Sequence, residues 1–335
     1  MAIRNAKLIE EIKNLFRSLV RYSAKAIDAR SPHTAGHSGR VAKYSVRIAR
    51  AINEAKEGRL GKIYFSPEEI EELRMAAWLH DIGKIGVRES VLEKVTKLNS
   101  DQIKTIEERF ETIKNWVKNK YLEKKLCIAL NGKNSKVELE KLDQQLQSEL
   151  KEIDESLAFI KKINEPGFLT ENDRKRLQQI AERSYANSKG ERRYFLTPQE
   201  YESLSIVRGN LTENEYKEIQ SHVEHTLSIL NKIPFTRDLQ NIPKYAAAHH
   251  EYLDGSGYPR GLKGDEIPIQ ARIMCIADIY DALSSPDRPY KRALPLEKTL
   301  EILRQEAQKG KLDADIVELF IQKKLYHRPQ LEDEE

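Results

Sequence analysis

The chain has 335 residues, 39% of them hydrophobic and 33% charged, with 57 Lys and Arg against 53 Asp and Glu for a net charge of +4. No run approaches the ~18 apolar residues of a membrane-spanning helix, basic and acidic residues alternate instead of forming the basic face that announces a nucleic-acid binder, and 15 Gly with 12 Pro exclude collagen-like and low-complexity chains. Cys127 and Cys275 form no C-x-x-C pair, which fits a reducing compartment, and MAIRNAKLIEEIKNLF lacks the apolar core of a secretory signal, so a cytoplasmic protein is expected.

This length suggests two domains, or one carrying a large insertion. Leu8, Ile12, Leu15, Leu19, Tyr22 and Ala26 alternate steps of four and three, which predicts a long first helix with a heptad seam. Such a seam either pairs with a second copy of itself or packs on its own domain. Helices follow over 34–55 and 67–79, the second with Ser66 as N-cap ahead of Pro-Glu-Glu. Ile103, Ile106, Phe110, Ile113 and Val117 repeat at three and four. After the turn signal Asn131-Gly132-Lys133-Asn134, Leu139, Leu142, Leu146, Leu150, Ile153, Leu157 and Ile160 do the same, predicting an antiparallel helical hairpin that ends near Asn164-Glu165-Pro166-Gly167.

Phe168–Glu171, Phe195–Pro198 and Asn210–Glu213 then each set a Thr N-cap before an acidic helix start. Helices resume over 213–232, 238–250, 268–284 and 296–307, with a Gly/Pro-rich loop at 254–268. No stretch alternates with period two. The fold class is all-α, with at most a small hairpin near Gly264.

His80-Asp81 closes the apolar helix Met75–Leu79 and leads into Ile82-Gly83-Lys84. A carboxylate and an imidazole at the end of a buried helix must be hydrogen-bonded or bound to metal, and an Asp can bridge two cations, one through each oxygen. His249-His250-Glu251 follows the apolar run Tyr245–Ala248. Neighbouring helical residues point about 100° apart, so the pair can serve different ions in one site. Asp278 interrupts the apolar run that starts at Ala271, where an unpaired acid is costly. Imidazole and carboxylate without thiolate suit iron, manganese or zinc. A bridging Asp suggests two metals about 3.5–4 Å apart, the spacing at which a bridging hydroxide attacks phosphorus in line. The anionic substrate this chemistry needs would meet Lys84, Arg288 and Lys291.

These motifs resemble the HD-GYP phosphodiesterases, a branch of the HD-domain metallohydrolases. The likeness rests on His80-Asp81-Ile-Gly-Lys84, on His249-His250-Glu251-Tyr-Leu-Asp254-Gly255-Ser-Gly257-Tyr258-Pro259, on Gly261-Leu262-x-Gly264, on Ala277-Asp278-x-x-Asp281 and on Arg288-Pro289-Tyr290-Lys291. It covers about 1–96 and 209–325. The resemblance implies an HD-domain helical bundle over 31–96 and 209–330, a linker or signalling helix over 1–30, and an insertion over 97–208 that contains the hairpin. That insertion either covers the site, dimerises or receives a regulatory partner, or is a passive arm.

The same resemblance implies hydrolysis of cyclic di-GMP to linear pGpG, and in some members on to GMP. It maps the metal ligands to His37, His80, Asp81, His222, His249, His250 and Asp278, with Asp81 bridging. Lys84, Arg288 and Lys291 fall on the residues that hold phosphate and guanine groups, Lys84 also neutralising developing charge. Two or three divalent ions are implied, iron or manganese first, with zinc, nickel and magnesium as alternatives. His33 stands where members with a third metal have Glu, one turn before His37; it is either a further ligand or a surface side chain. Val223 and Thr226 replace the family's Pro and Gly after the His222 position.

The expected partners are cyclic di-GMP, a second copy through the first helix or the insertion, and a diguanylate cyclase or other protein at the Gly-Tyr-Pro loop, with no nucleic acid and no membrane span. Ile3–Leu8 look like the exit helix of a sensory domain such as GAF, so the chain reads as a catalytic fragment or as a protein without its sensor. The alternatives are the same hydrolysis on another cyclic dinucleotide, such as a mixed GMP-AMP one, and a sensor or docking module without turnover.

Overall fold

The computed structural model describes residues 2–30, 36–130, 136–187, 189–285 and 293–327. In chain order, helices α1 (Ala2–Arg30), α2 (His37–Asn53), α3 (Pro67–Leu79) and α4 (Glu89–Leu92) come first. Then come α5 (Ser100–Leu130), α6 (Lys136–Asn164), α7 (Glu171–Glu182) and α8 (Pro198–Leu204). The chain closes with α9 (Glu213–Gln220), α10 (His222–Leu230), α11 (Ile242–Ala246), α12 (Ile269–Ser284), α13 (Leu296–Gln308) and α14 (Ala314–Gln322). The fold is all-α. Among the described residues no helix is long and apolar enough to cross a membrane. Two compact units form: Met1–Leu92 with Lys217–Glu335, and Glu93–Tyr216.

In the first unit α2, α3 and α12 build the core. Val41, Ile48 and Ile52 of α2, Leu73, Ala76 and Ala77 of α3, and Ile273, Ile276 and Ala277 of α12 are fully buried in one cluster. The start of α3 is fixed as expected: Ser66 Oγ accepts the Glu69 N–H, the Glu69 carboxylate accepts the Ser66 N–H, and Pro67 sits in the first turn. Helix α1 buries a different face from its heptad seam. Val20 and Ala24 are buried and Phe16 packs edge-on against Phe235, while Leu8, Ile12, Leu15, Leu19 and Tyr22 are 54–71% exposed. The seam therefore does not pack on its own unit.

Two expected helices are broken. The segment 213–232 divides at Ser221 into α9 and α10. The segment 238–250 becomes a single turn of 3-10 helix, Arg237–Leu239, followed by the short α11, which begins beside Pro243. Proline lacks the N–H and favours a first-turn position. His249 and His250 consequently stand in the turn beyond α11 instead of inside a long helix. Near Gly264 there is an isolated bridge between Asp254 and Lys263 and one 3-10 turn.

In the second unit α5 and α6 run antiparallel: Glu107 pairs with Lys161, Lys114 with Asp154 and Lys125 with Asp143, so partners advance in opposite directions. Their seam buries Ile106, Phe110, Ile113 and Val117 with Ile153, Phe159 and Ile160, the heptad positions read from sequence with Phe159 added. The turn signal at 131–134 lies outside the described residues. The three Thr echoes are all capping boxes: Thr170 with Asp173, Thr197 with Glu200 and Thr212 with Glu215. Two small antiparallel pairs were not anticipated: Gly167–Phe168 with Arg208–Gly209, and Ser184–Ala186 with Arg192–Tyr194.

Candidate metal centre

The centre is built where the end of α3 meets α10. His80 and Asp81 leave α3 in a tight turn whose Gly83 lies directly on α10. A Cβ there would come within 2.0 Å of the His222 carbonyl oxygen and 2.4 Å of the Thr226 nitrogen, so only glycine fits. Thr226, fully buried, locks the junction: its hydroxyl accepts the Gly83 N–H at 3.0 Å and donates to the His80 carbonyl at 3.0 Å. This residue, which departs from the resembled motif, fastens His80 and His222 to one another's helices.

Three imidazoles then point the same way. His80 Nδ1 donates to the Ala77 carbonyl at 2.8 Å, His222 Nδ1 to the Ile219 carbonyl at 2.5 Å, and His249 Nδ1 to the Ala246 carbonyl at 2.6 Å. Each carbonyl can only accept, so the proton sits on Nδ1 and the Nε2 lone pair faces inward. All three Nε2 atoms are buried without a hydrogen-bond partner. A buried acceptor without a donor is rare and costly, and a lone pair left free in this way is one that a metal ion could take. Burial pushes His249 well below the ordinary imidazole range and His250 down to about 3, so both are neutral and available as ligands.

Carboxylates complete the cluster. Asp81 Oδ1 is 3.3 Å from His222 Nε2, while its Oδ2 faces His80 Nε2 at 3.4 Å, His37 Nε2 at 3.7 Å and the Lys84 ammonium. Its two oxygens thus address different groups. Burial disfavours the charge on Asp81, but Lys84, His80 and His222 more than offset that and hold its carboxyl well below the usual range. Asp278 lies 3.2 Å from His37 Nε2 and 3.8 Å from His250 Nδ1. Three groups have ligand atoms within 4.8 Å of one another: His222, His249 and His250; His37, His80 and Asp278; and His80, Asp81 and His249. Overlapping triads that share His80 and His249 suit more than one ion.

His37 is oriented from behind. Its Nδ1 donates to Asp281 at 2.7 Å, and Arg40 donates to the same carboxylate through Nε at 2.7 Å and a terminal nitrogen at 3.1 Å. Burial opposes protonation of His37, but hydrogen bonds to Asp278 and Asp281 outweigh it and raise the imidazole to about 10. A metal ion held at Nε2 would have to displace that proton. The first turn of α2 is held by Asp28 of α1, whose carboxylate accepts the Ser38 N–H at 3.1 Å and its hydroxyl at 2.8 Å.

The Gly-Tyr-Pro loop folds over His250. Tyr258 N–H donates to the His250 carbonyl at 3.1 Å, and its ring lies 4.8 Å from the His250 imidazole at 33°. A Cβ on Gly257 would meet the 250–252 backbone at 2.4–2.5 Å. The buried Glu251 closes the loop by accepting the N–H groups of Arg260 and Leu262 at 2.8 and 2.9 Å.

The structure therefore gathers His37, His80, Asp81, Lys84, His222, His249, His250 and Asp278. His33, Arg288 and Lys291 lie outside the described residues. Sequence reasoning missed Thr226, Glu251, and the Asp281–Arg40 pair as parts of the site. The last was signalled: Arg40 is three residues after His37 and Asp281 three after Asp278, one helical turn on the same face.

This cluster lies on an all-α bundle that HD domain family models match, one over residues 34–164 and another over residues 194–316. The chain is similar to the 3'3'-cGAMP-specific phosphodiesterase 3 of Vibrio cholerae, 27% identical over 86% of this chain and 35% of that protein. It is also similar to the 3'3'-cGAMP-specific phosphodiesterase 2 of the same organism, 43% identical over 36% of this chain and 23% of the relative. A cyclic di-GMP phosphodiesterase of Thermotoga maritima is 40% identical over 35% of this chain and 31% of its own length. The chain thus spans about a third or less of these relatives.

Proposed function

We propose that this chain is a metal-dependent phosphodiesterase that opens cyclic dinucleotides, with cyclic di-GMP as substrate and linear pGpG, or GMP, as product. The observation that carries the reading is the set of overlapping His/Asp triads that share His80 and His249, in which the Nε2 atoms of His80, His222 and His249 are buried without a hydrogen-bond partner. His37, His80, Asp81, His222, His249, His250 and Asp278 would hold two divalent ions, and the imidazole–carboxylate donor set favours iron or manganese. When bound, the ions supply Lewis acidity and a more acidic water. Asp81 supports this by presenting one oxygen to His222 and the other to His80 and His37, the arrangement a bridging carboxylate needs. Lys84 sets a cation beside Asp81, where it would neutralise charge developing on a phosphate oxygen. Arg288 and Lys291 are assigned to the phosphate and guanine groups on the motif alone.

A second substrate, 3'3'-cGAMP, is favoured by one observation: the relative matched over 86% of the chain carries that specificity in its name. The test is to reconstitute the protein anaerobically with Fe(II) or Mn(II), offer both dinucleotides separately, and separate the products by chromatography with mass detection. Linear dinucleotide or mononucleotide from cyclic di-GMP supports the first reading. Turnover of 3'3'-cGAMP alone supports the second. Full metal loading with no turnover of either leaves a sensor or docking module.

In this reading 1–30 is a signalling helix, 31–96 with 209–330 the catalytic domain, and 97–208 an insertion. The exposed seam of α1 pairs with a second copy, and the loop around Tyr258 offers a protein contact next to the centre, for a diguanylate cyclase or another partner.

A further inference from the structure

Helices α1, α2 and α3 line a cavity of about 1030 Å³, a size that accommodates a whole small molecule. Eight Lys and Arg side chains line it against one carboxylate, Glu71, which is itself 2.8 Å from Arg17. The charge is delivered in register from two helices, with Arg17 and Arg21 one turn apart on α1 and Arg47 and Arg50 nearly so on α2. So many like charges around a common void raise its potential and draw in anions. Guanidinium groups bind phosphate oxygens through two parallel N–H bonds.

The lining also includes one indole, Trp78. Trp78 lies against Gly39, where a Cβ would come within 2.7 Å of the indole, so glycine lets the ring settle onto α2. Indole faces stack nucleic-acid bases regardless of sequence. One further lining residue, Arg40, is the side chain that clasps Asp281 behind His37.

We propose that this cavity binds a nucleotide carrying at least two phosphates, the phosphates held by Arg21, Arg47 and Arg50 and the base laid on Trp78, as a site separate from the metal centre. Arg40 connects its occupant to His37 through the carboxylate of Asp281. The inference concerns binding and stands independently of whether the metal centre hydrolyses cyclic dinucleotides.

The test uses metal-free protein, with GTP and inorganic pyrophosphate as probes. The sequence has two tryptophans, Trp78 and Trp116, so Trp116→Phe leaves Trp78 as the sole indole reporter. GTP is expected to quench Trp78 saturably and to bind more tightly than pyrophosphate. The pair Arg21→Glu with Arg50→Glu should weaken it about tenfold or more, and added salt should weaken it further. His249→Ala should leave it unchanged. Absence of saturable quenching, equal binding in the charge-reversed protein, equal affinity for pyrophosphate, or loss in His249→Ala would each overturn the proposal. If the charge-reversed protein does not melt cooperatively, Arg21→Gln with Arg50→Gln is read in the same way.

Discussion

Thr226 Oγ1 stands 3.0 Å from the His80 carbonyl oxygen and 3.0 Å from the Gly83 nitrogen, one hydroxyl both giving and receiving across the α3–α10 junction. Everything the centre needs from His80, Asp81 and His222 depends on that junction holding its register. Replacing Thr226 by Val keeps the shape and leaves both backbone groups buried without a partner, at a cost of about 1–3 kcal/mol. The metal-free protein should melt earlier and, once reloaded, lose metal faster on dialysis. An unchanged melting curve would mean the hydroxyl is dispensable.

Gly83 makes the same point sterically. Gly83→Ala introduces a methyl group where 2.0 Å separates it from backbone oxygen. Overpacking of this kind costs about 1–3 kcal/mol, and relief requires α10 to move, carrying His222 with it. Metal stoichiometry measured on the folded variant should fall, while Gly86→Ala, whose nearest neighbours are side-chain ring atoms of His225 instead of backbone, should do less.

Asp281 tests orientation apart from ligation. Asp281→Asn keeps the volume but removes the charge that holds His37 and Arg40 together. Loss of such a supporting carboxylate lowers metal affinity about 10–100-fold. Chelator competition should detect that change while far-UV dichroism stays the same; an unaltered affinity would remove Asp281 from the account.

The outer face of α1 yields a prediction about assembly. Leu15 and Leu19 are 71% and 62% exposed, so changing both to Glu removes no core contact and should leave the melting temperature within a few degrees. Sedimentation should shift from dimer to monomer in the variant. A parent protein that is already monomeric would contradict pairing through this seam.

Much of this architecture was legible before any coordinates. The α5–α6 hairpin announced itself through two unbroken heptad runs, and α3 through Ser66, Pro67 and Glu69, because local chemistry decides those features. The His/Asp cluster was legible from His80-Asp81, His249-His250 and Asp278, residues that are expensive to bury without a partner. What failed depends on tertiary context. The larger apolar residues of α1 lie on its outer stripe, and the core instead takes the smaller Val20 and Ala24 with Phe16, a choice that only packing against α2 and α3 makes. Strands of two or three residues in the second unit show no period to read. The break before α11 had a signal in Pro243 that the apolar run beyond it overrode.

The most direct test of the account is product analysis on metal-loaded protein, parent against Asp81→Ala. Asp81 is the residue whose two oxygens face different ligands, so its removal should strip at least one metal and abolish turnover together. Formation of pGpG or GMP by the parent alone is the predicted result. Equal hydrolysis by Asp81→Ala with its metal retained would contradict the bridging assignment and, with it, the mechanism built on this centre.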